Sequence, residues 1–290
     1  MPHPHQASAF DVGPAVAAAT VAYVYVLGLL RLVTRSNALP VWRSSAFLLG
    51  VATVWAALGS SLASCDAGSL TGHMVQHLLL MTIAPPLVLL GEPVRVILNA
   101  MPRPIRKAIV CRFRRASMRR RGMTVGAAVA CWLAASGTLV LWHVPAVFTL
   151  AMRSPAWHAV EQASFLVTGL LFWLPVVEPW PVRPLPSWSI VVYLFMATLP
   201  CDVLSGFLVF SDRIAYAVYL SGASDTAVLS DQQRAGALMW TCVTLVYLVA
   251  GALVSARLLM TLEDTPVRPP QGPLVPDVVP RSAVRTARVG

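Results

Sequence analysis

The sequence predicts an all-α, polytopic membrane protein, built as a bundle of seven transmembrane helices. Of its 290 residues, 57% are hydrophobic and only 12% are charged, and the mean hydropathy is +0.69. A soluble domain carries about 25% charged residues, so this chain cannot cover a surface that faces water. Apolar runs of membrane-crossing length recur along most of the chain. Together these features exclude an ordinary soluble enzyme and an intrinsically disordered chain.

Seven apolar runs qualify as membrane-spanning helices. Each approaches the roughly 20 residues that an α-helix needs to cross the hydrocarbon core. The runs are continuous rather than alternating, which excludes a transmembrane β-barrel. They lie at about 13–33, 44–64, 71–91, 123–143, 157–177, 187–210 and 235–260.

The distribution of lysine and arginine predicts the orientation in the membrane. If the N-terminus is outside, 19 of the 22 basic residues fall in cytoplasmic segments. The three on the outer side are Arg153, Arg213 and Arg234. Cytoplasmic segments of membrane proteins are enriched in these residues, so we expect the N-terminus outside and the C-terminus in the cytoplasm.

Two cytoplasmic segments have distinctive compositions. The stretch 95–121 contains ten basic residues, and we expect it to contact anionic lipid headgroups rather than nucleic acid. Residues 265–290 are rich in Pro, Val and Arg without a helical period, which is typical of a disordered cytoplasmic tail. The predicted organisation is therefore a seven-helix transmembrane domain at 1–264 followed by this tail.

Histidines are placed on one side of the predicted topology. His73 and His77 lie at i and i+4 in the third span, so they project from one helix face. His143 ends the fourth span and His158 begins the fifth, both on the outer side. Each ring could simply hydrogen-bond to a neighbouring helix. However, ionisable groups at membrane depth are costly and usually functional, so the pattern favours a metal site of four imidazoles.

Copper is the metal that this pattern favours. Imidazole suits copper, and the thioethers of Met74 and Met81 are soft donors that suit Cu(I). Zinc more often recruits cysteine or a carboxylate. A methionine at helical spacing more often packs than binds, so the two methionines are only supporting candidates.

Two acidic residues could support such a site. Glu161 is three residues after His158 and could hold that ring by a hydrogen bond. Ser230 and Gln233 fit a capping box before the seventh span, with Asp231 in its first turn. Asp231 serves either that helix end alone or, as a supporting residue, the orientation of a ligating histidine.

Proline predicts a kink in the third span. Pro85 and Pro86 cannot donate to the carbonyls four residues earlier, those of Met81 and Thr82. We therefore expect the helix to bend below the histidines, either for packing alone or to free a ligand.

Short motifs in the last five spans carry a family resemblance. In order and spacing they resemble the seven-helix cytochrome c oxidase assembly factors of the CtaG type, which are linked to bacterial caa-type oxidases. The first two spans match only in hydrophobicity. The matching pieces are His73–Leu80, Ala84–Leu87, Leu90–Pro93, Leu141–Pro145, Trp157–Glu161, Phe172–Pro175, Asp231–Gly236 and Met239–Trp240.

The resemblance implies a part in maturing a haem-copper oxidase at the bacterial plasma membrane. It implies copper handling on the outer face, oxidase subunits as partners, and no enzymatic activity. No outer cysteine-rich loop is present, so a thiolate transfer step is not expected. The residues that the resemblance carries over are His73, His77, His143, His158 and Asp231.

Two other functions remain open from the residues alone. A transporter of copper or another solute would need polar groups through the whole membrane, where Cys201 and Asp202 are the obvious candidates. Asp202 could equally make a structural hydrogen bond. A haem-binding redox protein could use paired histidines as axial ligands, but all four candidates lie at one depth. No nucleophile–base pair or phosphate loop favours an enzyme.

Overall fold

The computed structural model describes residues 12–33, 39–60, 68–119, 124–177, 185–220 and 224–263. Within these ranges the chain is helical and forms no β-strand. Seven helices there are long and apolar enough to cross a membrane. The prediction of an all-α protein with seven membrane-spanning helices is thus confirmed. The predicted tail, 265–290, lies outside the described residues.

The helices follow one another with short connections. The helices are α1 Val12–Val33, α2 Val41–Gly59, α3 Leu70–Leu78, α4 Ala84–Leu90, α5 Pro93–Ala100, α6 Arg103–Arg119, α7 Val125–Trp142, α8 Pro145–Arg153, α9 Pro155–Val177, α10 Ser187–Phe210 and α11 Asp225–Glu263. A π-helical turn, Leu79–Ile83, joins α3 and α4 into one span, and a 3₁₀ turn, Ala217–Leu220, precedes α11. The spans are α1, α2, α3 with α4, α7, α9, α10 and α11, whereas α5, α6 and α8 lie between spans.

The third span occupies the centre of the bundle. It packs against α2, α9 and α11, while α10 and α11 form the most extensive helix pair. Of its most apolar stretch, 56% of residues are buried, against at most 39% in any other described span. Polar groups on this helix are therefore enclosed by protein rather than exposed to lipid.

The two prolines interrupt the third span as expected, but by a different geometry. Pro85 and Pro86 offer no amide hydrogen to the carbonyls of Met81 and Thr82. The preceding turn, Leu79–Ile83, widens into a π-helix instead of forming a simple bend.

Helix α9 closes against this π-helical turn. The indole N–H of Trp173 donates to the Met81 carbonyl oxygen at 3.2 Å, which satisfies one of the groups left by the prolines. The approach requires a glycine, because a Cβ atom on Gly169 would lie 2.9 Å from the Cα of Met81. Close packing of α9 on the third span thus replaces the lost backbone hydrogen bond.

The start of the seventh span was predicted incorrectly. The helix begins at Asp225 rather than at the predicted Ser230 cap, and Ser224 lies at its start with Oγ 3.4 Å from the amide of Ala227. Ser230 is inside the helix and donates to the Ala227 carbonyl, so the expected capping box of Ser230 and Gln233 does not form. Hydropathy marks where lipid begins, whereas backbone hydrogen bonding carries the helix beyond it.

The opposite end of the bundle, where α2 begins and α5 follows α4, is fastened by charge. We call Arg43, Glu92 and Arg95 the arginine end, since both guanidinium groups pair with the Glu92 carboxylate. Helix α5 packs on α1, where a Cβ on Gly28 would collide with the backbone of Val96. This end is a joint between helices.

Candidate metal centre

Four histidine rings meet where α3 and α9 begin and α7 ends. We call His73, His77, His143 and His158 the histidine cluster. The ring centroids of His73 and His77 are 4.2 Å apart, and that of His158 is 5.7 Å from His73. His143 lies 6.3 Å from His77. Helix packing therefore gathers the four histidines that the sequence pattern singled out.

Glu161 of α9 lies at the centre of this cluster. One carboxylate oxygen, Oε1, is 3.4 Å from Nε2 of His73 and 3.5 Å from Nε2 of His77. Its ligand atoms and those of the two α3 histidines all lie within 4.8 Å of one another. This spacing is compact enough for a single metal ion to contact all three side chains.

The expected hydrogen bond from Glu161 to His158 is not formed. The closest approach, between Oε2 and Nε2, is 4.0 Å, which is too long. Nε2 of His158 instead lies 3.1 Å from the side-chain amide of Gln162. The error has a geometric cause: sequence spacing shows neighbours along α9, whereas the residue that faces Glu161 belongs to the helix packed against it.

Polar atoms at the centre of the cluster lack hydrogen-bond partners. Among the described residues, both ring nitrogens of His77 and both carboxylate oxygens of Glu161 are buried without one. Removing a carboxylate from water is costly unless a cation or a donor compensates. The arrangement can therefore accept a positive charge, either as a metal ion coordinated by nitrogen and oxygen or as a proton.

His143 has a defined tautomer. Its Nδ1 lies 2.7 Å from the carbonyl oxygen of Leu139, and because a carbonyl only accepts, Nδ1 carries the proton. The lone pair is then on Nε2, which lies 3.3 Å from Sδ of Met74.

Aromatic rings enclose the cluster. Phe148 of α8 packs edge-on against His73, with centroids 5.0 Å apart. Phe165 of α9 lies 4.1 Å from His77. These rings exclude water, which strengthens electrostatic interactions within the cluster.

Tyr216 fixes the backbone beside the cluster. Its hydroxyl donates to the carbonyl oxygen of His143 at 3.0 Å, and its ring packs on Phe148. Burial, with a smaller effect of the Glu161 carboxylate, raises the pKa of Tyr216, so the hydroxyl keeps its proton. Nothing in the sequence pattern singled out this tyrosine.

Asp231 supports the cluster by a route that the sequence did not predict. It lies inside α11, not in its first turn, and its carboxylate accepts hydrogen bonds from the start of α3. Oδ2 is 2.7 Å from the amide of Leu70, and Oδ1 is 2.6 Å from the hydroxyl of Thr71. An anion at a helix N-terminus satisfies unpaired amides and the helix dipole. Asp231 therefore positions the helix that carries His73 and His77 rather than a ring.

Gln232 is a further positioning residue. It is buried, and its side chain accepts from the amide of Ala215 at 2.8 Å and donates to the carbonyl of Arg213 at 3.2 Å. These bonds hold the loop that ends in Tyr216. In the sequence, Gln232 lies next to Asp231 in the motif that was interpreted as a capping box. That interpretation did not explain why a glutamine is present at this position.

Of the two methionines, Met74 contacts a cluster histidine, with Sδ 3.3 Å from Nε2 of His143. The Met81 side chain instead lines a cavity of about 20 Å³ with Cys201 and Tyr247, four residues beyond His77 along the third span. From its spacing, Met81 was expected to share the broad sector of the helix that carries His73 and His77. The π-helical turn that follows Leu78 changes that register.

The cluster is enclosed on most sides. His73, His77 and His143 are buried, whereas the side chain of His158 is 25% exposed. His158 is thus the ring of the cluster that the solvent reaches most readily.

Comparison with known proteins identifies the family. The model described as cytochrome c oxidase caa3 assembly factor (Caa3_CtaG) matches residues 23–261. The chain belongs to this family. The match includes α3, α7, α9 and the part of α11 that supplies Asp231 and Gln232.

Two similar curated proteins add no description of activity. They are the uncharacterized protein Mb0105 of Mycobacterium bovis and the uncharacterized protein MT0111 of Mycobacterium tuberculosis. Each is 28% identical to this chain over 271 residues, which cover 85% of this chain and 38% of the relative. The chain thus spans well under half the length of these relatives. No solved structure matches.

Proposed function

We propose that this Caa3_CtaG family member is a non-enzymatic assembly factor that binds copper in the histidine cluster and delivers it to a subunit of a haem-copper cytochrome c oxidase. Family membership supports the assembly role. The observation that carries the copper role is the buried Glu161 carboxylate, 3.4 and 3.5 Å from two imidazoles on α3.

Charge balance favours a metal at this position. An ionised carboxylate that is buried among imidazoles needs a compensating positive charge. A divalent ion held by His73, His77 and Glu161 would neutralise it and would coordinate the buried atoms of His77 and Glu161 that lack hydrogen-bond partners. Among metals that accept imidazole, copper also accepts the thioether of Met74, which lies beside His143.

The proposed site has features that suit both the uptake and the release of copper. His73, His77 and Glu161 hold the ion, and copper enters and departs past the partly exposed ring of His158. Asp231 and Gln232 keep the surrounding backbone in place. A carrier needs a site that is buried on most sides but open on one, because an ion enclosed on every side could not be transferred to a recipient.

The lysine and arginine distribution supports an orientation in the bacterial plasma membrane. With the N-terminus outside and the C-terminus in the cytoplasm, the histidine cluster faces outward. The basic helix α6 then lies against the anionic headgroups of the cytoplasmic leaflet. Copper would therefore be offered to an oxidase subunit on the outer side.

Copper stoichiometry of the purified full-length protein tests this proposal. We expect copper to bind to the wild type and to be lost from His73→Ala/His77→Ala. The matched control is Cys201→Ala/Ser205→Ala, which also removes two buried polar groups at i and i+4 of one span, with Sγ and Oγ 3.7 Å apart. We expect this control to keep its copper.

Equal copper content in the wild type and the histidine variant would contradict copper binding by the cluster. A deletion strain tests delivery separately: oxidase activity and oxidase copper content should fall, and recover with the wild type but not with the histidine variant. A visible spectrum of the same preparation should show no Soret band, which a haem-binding redox protein would display. Copper uptake into proteoliposomes would indicate a transporter instead.

A further inference from the structure

We propose that Nε2 of His143 and Sδ of Met74 form a second, softer subsite beside the Glu161 centre, and that this subsite takes monovalent copper. The inference rests on the proposed function, because it divides the copper site of the cluster into two parts. It assigns His143 away from the ligand set of His73, His77 and Glu161.

The hydrogen-bond pattern of His143 directs its lone pair at the sulfur. Nδ1 donates to the Leu139 carbonyl at 2.7 Å, so the only available electron pair of the ring is on Nε2. That atom is 3.3 Å from Sδ of Met74. A thioether has no hydrogen to donate, so two electron-pair donors face each other.

Burial and fixed backbone make this pair a prepared site. Met74 is 1% exposed and His143 is 5% exposed, so water does not compete freely for either atom. The Tyr216 hydroxyl fixes the His143 carbonyl, and Met74 lies on α3, whose first turn is held by Asp231. Packing alone would not require the sulfur of Met74 to face the unprotonated nitrogen of His143.

The two subsites differ in donor chemistry. Two imidazoles and a carboxylate suit a divalent ion, whereas one imidazole and a thioether suit a soft monovalent ion such as Cu(I) or Ag(I). The His77 ring of the Glu161 centre and the His143 ring of the soft subsite are 6.3 Å apart, centroid to centroid. Copper can therefore occupy the part of the cluster that matches its oxidation state.

Metal binding by three variants separates the subsites. The full-length protein in detergent is titrated with Ag(I), a redox-inert probe of the soft subsite, and with Cu(II). We expect Met74→Leu to weaken Ag(I) binding by at least about tenfold, as loss of a ligand should, and to leave Cu(II) binding unchanged. Glu161→Gln should show the opposite pattern.

Met81→Leu is the matched control, since it makes the same substitution on the same span at a side chain that lines a different cavity. It should change neither affinity. Equal Ag(I) affinity in Met74→Leu and the wild type, or equal losses in Met74→Leu and Met81→Leu, would overturn the soft subsite. X-ray absorption of anaerobically loaded Cu(I) protein gives a second readout: a copper–sulfur shell in the wild type that disappears in Met74→Leu.

The two proposals can fail separately. If wild type and Glu161→Gln bind equally little Cu(II), the Glu161 centre fails as a copper site whatever Ag(I) does. If Cu(II) binding depends on Glu161 while Ag(I) binding ignores Met74, only the second subsite fails.

Discussion

Two acidic residues at opposite ends of the bundle have contrasting surroundings. At the arginine end, Arg43 donates to Oε1 of Glu92, and Nη1 of Arg95 lies 2.9 Å from Oε2. In the histidine cluster, Glu161 faces the imidazoles of His73 and His77. Both carboxylates are buried, but only one has a permanent cation beside it.

This contrast distinguishes Glu92, a carboxylate paired with permanent cations, from Glu161, a carboxylate that faces imidazoles. Guanidinium groups are always protonated, so Glu92 is neutralised by the protein itself and fastens α2 to the start of α5. The ion-pair partners of Glu161 among the described residues are imidazoles, which carry a charge only when protonated. The charge of an ionised Glu161 must therefore be balanced by a proton or by an ion that comes from outside the chain.

The largest expected effect is the loss of copper-dependent stability in Glu161→Gln. Copper at about 100 to 1,000 times its Kd should stabilise the wild type by roughly 3–4 kcal/mol. The amide variant should gain almost nothing at the same concentration. Thermal unfolding in detergent, with and without copper, measures the difference, and an equal gain in both proteins would remove Glu161 from the site.

The same substitution at the arginine end should have the reverse signature. Glu92→Gln weakens hydrogen bonds to two charged groups, and we expect a loss of about 2–3 kcal/mol in the free energy of unfolding. Because this loss does not involve copper, the variant should keep the full copper-dependent gain. A smaller gain in Glu92→Gln would show that the two ends are coupled.

Loss of the Asp231 carboxylate should act on the histidine cluster through helix position. Asp231→Ala leaves the first amides of α3 without their acceptor, at an expected cost of about 1–2 kcal/mol. Copper affinity should also fall, because His73 and His77 lie on α3 and would lose their position when its first turn is no longer held. Isothermal titration beside thermal unfolding tests both, and unchanged affinity would restrict Asp231 to stability.

The smallest expected effect comes from two tyrosines that make similar bonds at the two ends. Tyr216 donates to the carbonyl of His143 at 3.0 Å, and Tyr25 donates to the carbonyl of Gly91 at 2.8 Å. Each change to phenylalanine should cost about 1 kcal/mol in unfolding experiments. Only Tyr216→Phe should also alter metal affinity, and a matching change in Tyr25→Phe would argue against a specific effect.

The sequence was sufficient to predict the candidate membrane-spanning helices, because a segment that crosses the hydrocarbon core must be apolar along its whole length. It failed at the start of α11, since the polar residues from Asp225 to Arg234 continue the helix beyond the apolar run. Proline chemistry correctly marked Pro85 and Pro86, but the π-helical turn depends on Trp173 and Gly169 of another helix.

The candidate site was predictable only in part. Spacing alone placed His73 and His77 on one face, and topology placed His143 and His158 at the same depth. Their contact with Glu161 could not be predicted, because it depends on how α9 rotates against α3. Tyr216 carries no local pattern, and Gln232 lies in the Asp231 motif without an assigned role, because both residues act through a loop that only the packed bundle brings close.

Pulsed electron paramagnetic resonance of the Cu(II)-loaded protein tests most directly whether the Glu161 centre is a copper site. We expect nitrogen couplings from two imidazoles in the wild type and from one in His77→Ala. Couplings that are absent in the wild type, or unchanged in His73→Ala/His77→Ala, would contradict copper binding between these side chains.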